Sequence, residues 1–239
     1  MNYLSVSIHH YCMRKSTYTF WILGLLLTVT TSFLHGQINI KVGYNLAYVI
    51  DDKIEDIVDR YNLDRPFLNQ ELGDLEWMGG IDLGLRYRLG RTAIEFSWIN
   101  NGARSRGYGN DGNIPVEEKY EASLRTFSLG LETMYGAVGF GTSIDRRRLN
   151  LKLDVPNFDA TEVIQSSSGW AAKFHLALEA KSKRMSMTFK PYFSLPLSSL
   201  NVYNLEKRLF PDTQAVESDF DTDFSTFGIA IVIYNGPQN

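Results

Sequence analysis

A chain of 239 residues with 24 basic and 27 acidic side chains carries a formal net charge of −3, so it offers no basic face of the kind nucleic acid requires. Its single cysteine, Cys12, precedes the first apolar run, which leaves no thiol beyond that run for a disulfide, a cysteine zinc site or a lipid anchor. His175 is the one histidine after residue 36, so a histidine metal cluster is excluded as well, and neither a metal nor a cofactor is expected.

Arg14 and Lys15 stand before an apolar run from Phe20 to Val29, which gives way to small and polar residues. A positive start, a short apolar stretch and a polar boundary are the parts of a secretory signal peptide, and the run is well short of the roughly 20 residues of a spanning helix. Cleavage after Gly36 is expected, with 1–36 as signal peptide and 37–239 as one domain. From there apolar and polar residues alternate with a period of two over eight stretches: 38–49, 77–89, 92–100, 120–134, 137–149, 168–180, 184–197 and 223–234. Helical spacing occurs only weakly, around 54–61.

The connections alternate too. Those at 89–91, 135–136 and 181–183 are short, whereas 50–76, 101–119, 150–167 and 198–222 are long and polar. Short periplasmic turns at one end and long extracellular loops at the other predict an all-β fold, an eight-stranded antiparallel up-and-down transmembrane β-barrel. A secreted soluble barrel of the lipocalin type, binding a small apolar ligand, is built from similar hairpins and stays as the alternative.

Two residue sets follow from the strand phases. Tyr48, Trp77, Trp98 and Trp170 fall near outer strand ends on the apolar face, and they are expected to form an interfacial aromatic girdle. The opposite face mixes glycine and alanine with Lys41, Asp82, Arg86, Glu95, Glu132, Lys173, His175, Glu179 and Lys190. Eight strands leave an interior only wide enough for side chains, so these ions are expected to pair inside and plug a polar lumen.

The stretch "GQINIKVGYNLAYV" after the signal, the hairpin "GIDLGLRYRLGRTAIEFSWI" and the closing strand "FSTFGIAIVIY" resemble the single-domain outer-membrane β-barrel family common in Bacteroidetes-type bacteria. More distantly they are similar to the transmembrane domain of OmpA. The resemblance implies the fold and an outer-membrane location, and little about activity.

Chemistry in the loops and lumen is sparse. Some eight-stranded barrels modify lipid A, but two residues after His175, where a deacylase-like His-x-Ser pair would have its serine, stands Ala177, so no catalytic residue is assigned. Asp219, Asp221 and Asp223 begin like a calcium loop, yet Phe224 occupies the place that needs glycine. The glycine-rich stretch at 107–113 reads as a loop tip. Arg146, Arg147 and Arg148 lie at the outer end of a strand, and the planar guanidinium suits phosphate, so they are expected to contact lipid phosphates. The expected function is that of a non-enzymatic, monomeric barrel of the bacterial outer membrane. Its partners would be membrane lipid, lipopolysaccharide and a protein met through the loops; a lipid-modifying barrel enzyme is a further alternative.

Overall fold

The computed structural model describes residues 36–112, 114–154, 162–210 and 216–236, so the signal peptide expected over 1–36 lies outside the described residues except for Gly36. In chain order the elements are β1 (Gln37–Ile50), α1 (Asp52–Leu63), β2 (Leu68–Gln70), β3 (Trp77–Leu89), β4 (Thr92–Asp111), β5 (Ile114–Tyr135) and β6 (Val138–Asp154). They continue with β7 (Glu162–Lys181), β8 (Met185–Pro196), β9 (Leu200–Asn201), α2 (Tyr203–Leu209), β10 (Asp221–Thr222) and β11 (Ser225–Asn235).

Eight long strands, β1, β3 to β8 and β11, pair antiparallel with their chain neighbours, and β11 pairs back onto β1. The result is a closed up-and-down barrel. Successive register partners run Asn39, Arg86, Glu95, Gly130, Ser143, Lys173, Ser194, Thr226 and back to Val49, ten residues further along β1. Such a stagger tilts the strands by about 40° and leaves a bore that side chains can fill. At the inner end β3 turns into β4 on Gly90 (φ 59°) and β5 into β6 on Gly136 (φ 70°), the positive φ that primed hairpin turns need.

The faces are inverted relative to a water-soluble barrel. Ile40, Leu85, Leu129, Phe140, Phe174 and Ile231 point outward and are exposed, while Lys41, Arg86, Glu132 and Lys190 point inward and are buried. Strand alternation allows only these two placements, and the apolar set has taken the outside all round.

The outer end differs from the expected layout. Residues 101–119 are not a polar loop: β4 and β5 stay paired from Asn101 opposite Leu124 to Asp111 opposite Ile114, and the chain turns at Gly112 (φ 67°). β6 and β7 likewise run past 149 and begin before 168. The stretch is polar because its outward residues form cross-strand pairs in water, such as Arg104 with Glu121 at 2.5 Å and Lys119 with Asp154 at 3.9 Å. Inward, Glu118 is buried and pairs with Arg65 at 3.2 Å, and the inward residues that continue along β5 and β6 are apolar. Tyr120, Ala122, Leu124, Leu149, Leu151 and Leu153 are buried against the apolar stripe of α1, formed by Ile54, Ile57, Val58 and Tyr61, and against Leu200, Val202, Leu205 and Phe224.

Asp51 starts that helix, its Oδ1 accepting hydrogen bonds from the Lys53 and Ile54 amides at 3.0 and 3.2 Å. Asn62 fastens its far end, exchanging two hydrogen bonds with the Leu72 backbone at 2.8 and 3.0 Å. The interior therefore has two layers, ion pairs toward the short turns and a hydrophobic core under α1 at the mouth. The polar lining that the sequence suggested occupies the inner part; the mouth is mainly hydrophobic, with the buried acids Glu118 and Glu206 paired to Arg65 and Arg60.

Candidate functional site

The inner layer is a network of charges and hydrogen bonds around three glutamates, with a separate ion pair beside it, and together they draw on every strand of the barrel. Glu95 on β4 receives Lys41 from β1 at 2.7 Å, Lys190 from β8 at 2.9 Å and the Tyr234 hydroxyl from β11 at 2.5 Å. Glu132 on β5 receives Lys190 at 2.7 Å, Arg86 from β3, and His175 from β7 at 3.0 Å. Glu179 on β7 accepts from Arg86 at 3.1 Å and from the Ser186 hydroxyl at 3.0 Å, with Arg88 at 3.7 Å. Lys41 also meets Asp82 at 2.8 Å. Alongside, Asp145 on β6 faces Lys173 at 3.3 Å and accepts from Ser128 and Ser143 at 2.6 and 2.7 Å.

A buried ion is tolerable only when its partners replace the lost water, and here each of these three glutamates is shared among several donors. Small residues make the room: a Cβ on Gly130 would lie 2.9 Å from Ser143, and one on Gly228 would lie 2.6 Å from the Tyr192 hydroxyl. Interior cavities of about 30 and 20 Å³ remain, each space for about one water.

All nine charged residues that the sequence placed on the inner face meet in this layer. Arg88, in phase with Asp82 and Arg86 on the charged face, reaches the same layer; Asp145, Arg147 and Tyr234 were missed. Asp145 and Arg147 stand in phase with Gly139 and Gly141, so alternation along β6 was the available signal. Tyr234 is in phase with Gly228 and Ala230, so alternation along β11 was a signal there too, masked by the hydrophobicity of Val232.

At the outer rim Tyr48 and Trp77 are register partners, their ring centroids 5.1 Å apart at 66°, and Phe227 lies 5.0 Å from Tyr48 on the other side. The Tyr48 hydroxyl donates to Glu76 at 2.8 Å. Trp170 is exposed, with the Arg146 guanidinium 5.2 Å from its ring. Trp98 does not share their level. It stands opposite Leu83, six residues along β3 from Trp77, because β4 continues to Asp111 rather than ending near 100. Allowing for tilt, it sits on the order of 10 Å nearer the inner end, so the expected girdle of four is corrected to Tyr48, Trp77 and Trp170.

The arginine triplet divides by the same alternation. Arg146 and Arg148 point outward, whereas Arg147 points inward, is 2% exposed and donates to the Phe224 carbonyl at 2.8 Å. Arg147 is withdrawn from the expected phosphate contacts. The outward pair is joined instead by Arg125, which faces Arg148 across the ladder, while Arg148 donates to Ser166 at 3.0 Å. Like charges directly opposite on a ladder are destabilising unless an anion lies between them.

The remaining motifs are quiet. His175 is engaged with Glu132, and Asp221 accepts from the Asn201 amide at 2.8 Å. Among the described residues no three histidine, cysteine, aspartate or glutamate side chains are grouped to hold a metal ion.

No protein-family model matches the chain, and no curated protein matches it in sequence. Among solved structures it is similar to Ail, the attachment invasion locus protein of Yersinia pestis, in complex with the heparin analogue sucrose octasulfate. That likeness covers 84% of this chain and 99% of that one, at 11% identity and a TM-score of 0.44. Neisserial surface protein A (NspA) is similar over 84% of this chain and 98% of its own, at 7% identity and a TM-score of 0.42.

Proposed function

We propose that the chain is a non-enzymatic integral protein of a bacterial outer membrane. In this reading residues 1–36 are a signal peptide removed on export, and 37–239 form a monomeric barrel with its short turns in the periplasm. One observation carries the reading: the outer surface between the short turns and the aromatic rim is apolar on every strand, while the charges are inside and paired. Lipid is the solvent that rewards this inversion, and a closed barrel is the one strand arrangement that leaves no unpaired edge in it. The lipocalin-like alternative needs its apolar face inward.

The decisive measurement is membrane fractionation combined with a gel of boiled and unboiled samples. The protein should stay with outer membranes through an alkaline wash and change mobility on heating; release into the soluble fraction would overturn the membrane reading.

Lipopolysaccharide is the proposed lipid partner. Arg125, Arg146 and Arg148 lie beside Trp170 at the outer rim, a grouping suited to headgroup phosphates. The long hairpins above them offer a surface to a protein partner. Added lipopolysaccharide should raise the unfolding temperature of the refolded barrel, and Arg125→Ser, Arg146→Ser and Arg148→Ser together should abolish most of that rise. Arg147→Ser should lower the starting stability and leave the rise intact. An undiminished rise in the triple variant would remove these arginines from lipid binding.

A further inference from the structure

Above the rim, between α1 and the outer ends of β1 and β3, lies a cavity of about 90 Å³, about three waters in size. Its walls are apolar, with Ile54, Val58, Met78, Leu149 and Phe224 among them, and its lining includes five carboxylates and no lysine or arginine.

Two oxygens in it are incomplete. Tyr120 is 1% exposed, yet its hydroxyl has no hydrogen-bond partner. Asp51 spends Oδ1 on the start of α1; its Oδ2 is buried without a hydrogen bond of normal geometry, with the Thr222 side chain beside it. Buried polar atoms are nearly always paired in folded proteins, so a partnerless Tyr120 hydroxyl in the same lining as an Asp51 oxygen that only Thr222 approaches marks a place where something else binds.

The charge around the mouth specifies what. Asp52, Glu55, Asp74 and Glu76 surround it. Repulsion from Asp74 holds the Glu55 carboxyl above its usual range, and burial followed by the charges of Asp59 and Glu76 does the same to Asp74. A bound cation relieves that repulsion. The acids are spread around the opening instead of converging on one point, and none of the described carboxylates groups in the threes that a metal ion needs. Spread charge over apolar walls suits an organic cation.

We infer that this cavity binds a small organic ammonium ion with a short, branched apolar body. Its N–H groups donate to Asp51 Oδ2 and Tyr120 Oη, its carbons lie against Ile54, Val58, Met78 and Phe224, and the acidic mouth attracts it. The inference does not depend on what surrounds the barrel.

The test is isothermal titration calorimetry on the exported chain refolded in nonionic detergent. The probe is 3-methylbutylammonium, with 3-methylbutan-1-ol as its neutral counterpart. The ammonium should bind saturably at one site and about tenfold or more tighter than the alcohol, the factor expected of a charge-assisted hydrogen bond. Tyr120→Phe and Asp51→Asn should each weaken the ammonium about tenfold and the alcohol, whose one O–H makes an uncharged hydrogen bond, by less; asparagine keeps the helix cap. Non-saturating heats, equal binding of the two probes, or unaltered affinity in both variants would overturn the inference. Should Asp51→Asn fail to refold, Tyr120→Phe decides alone, since it removes only an unpartnered hydroxyl.

Discussion

Arg86→Ala should cost the barrel about 3–5 kcal/mol, the loss seen when one partner of a buried ion pair is deleted. Arg86 is 1% exposed; one arm of its guanidinium meets Glu132, the other meets Glu179 at 3.1 Å, and its centre lies 4.5 Å from the middle of the Tyr234 ring. Truncation leaves two buried carboxylates with fewer cations and opens a void beside an aromatic ring. Glu132 keeps Lys190 and His175 at 2.7 and 3.0 Å, whereas Glu179 is left with Lys181 at 3.6 Å, Arg88 at 3.7 Å and the Ser186 hydroxyl, so Glu179 bears more of the damage. Arg86→Lys should restore part of the loss, since an ammonium supplies the charge without the fork that spans both acids. Urea unfolding of the refolded protein measures both. A cost under about 1 kcal/mol for Arg86→Ala would show that water already shares these acids, contrary to a buried pair. The same variant tests closure of the bore. The unmodified barrel should give no steady current in planar bilayers, and flickering conductance should appear only once Arg86 is gone.

The barrel was legible because its signal repeats. Eight alternating stretches and strictly alternating connection lengths admit few topologies, and the inner residues of β1, β3 and β7 could be read off by counting in twos. Counting failed where composition was allowed to override phase. The triplet Arg146, Arg147 and Arg148 looked like one basic patch, yet a strand sends its middle member to the opposite face. Residues 101–119 looked like a loop because Arg104, Arg106, Glu117 and Lys119 are charged, although β4 and β5 stay paired out to Asp111 and Ile114. That lapse displaced Trp98 from its true level.

The hydrophobic plug was harder to see. Its parts come from α1, from the outer ends of β5 and β6 and from the segment around Leu200 to Phe224, which are far apart in sequence. Ile54, Ile57, Val58 and Tyr61 carry a helical spacing too short to stand out alone. The orphaned Tyr120 hydroxyl was beyond reach altogether, because a missing partner is a property of packing and not of any residue pattern.

Ile229→Arg distinguishes lipid from water around the barrel more directly than any location assay. Ile229 points outward, 40% exposed, between Leu46 on β1 and Pro191 on β8 in the middle of the apolar zone. In water an arginine at a site this open costs within about 0.5 kcal/mol of nothing, since surface substitutions away from special features are nearly neutral. At the midplane of a bilayer the same change costs about 2–4 kcal/mol, because the guanidinium must thin the membrane or leave its own polar groups unsatisfied. Leu176→Arg on β7, opposite Phe140, should behave alike. His175→Asn, one residue away on the inner face, should cost less, as an amide still donates toward Glu132 and adds no charge. Folding equilibria in liposomes give all three values. Costs near zero for both arginine variants would mean that the apolar zone faces no lipid, while a high cost at His175 with tolerance at Leu176 would reverse the assignment of the two faces.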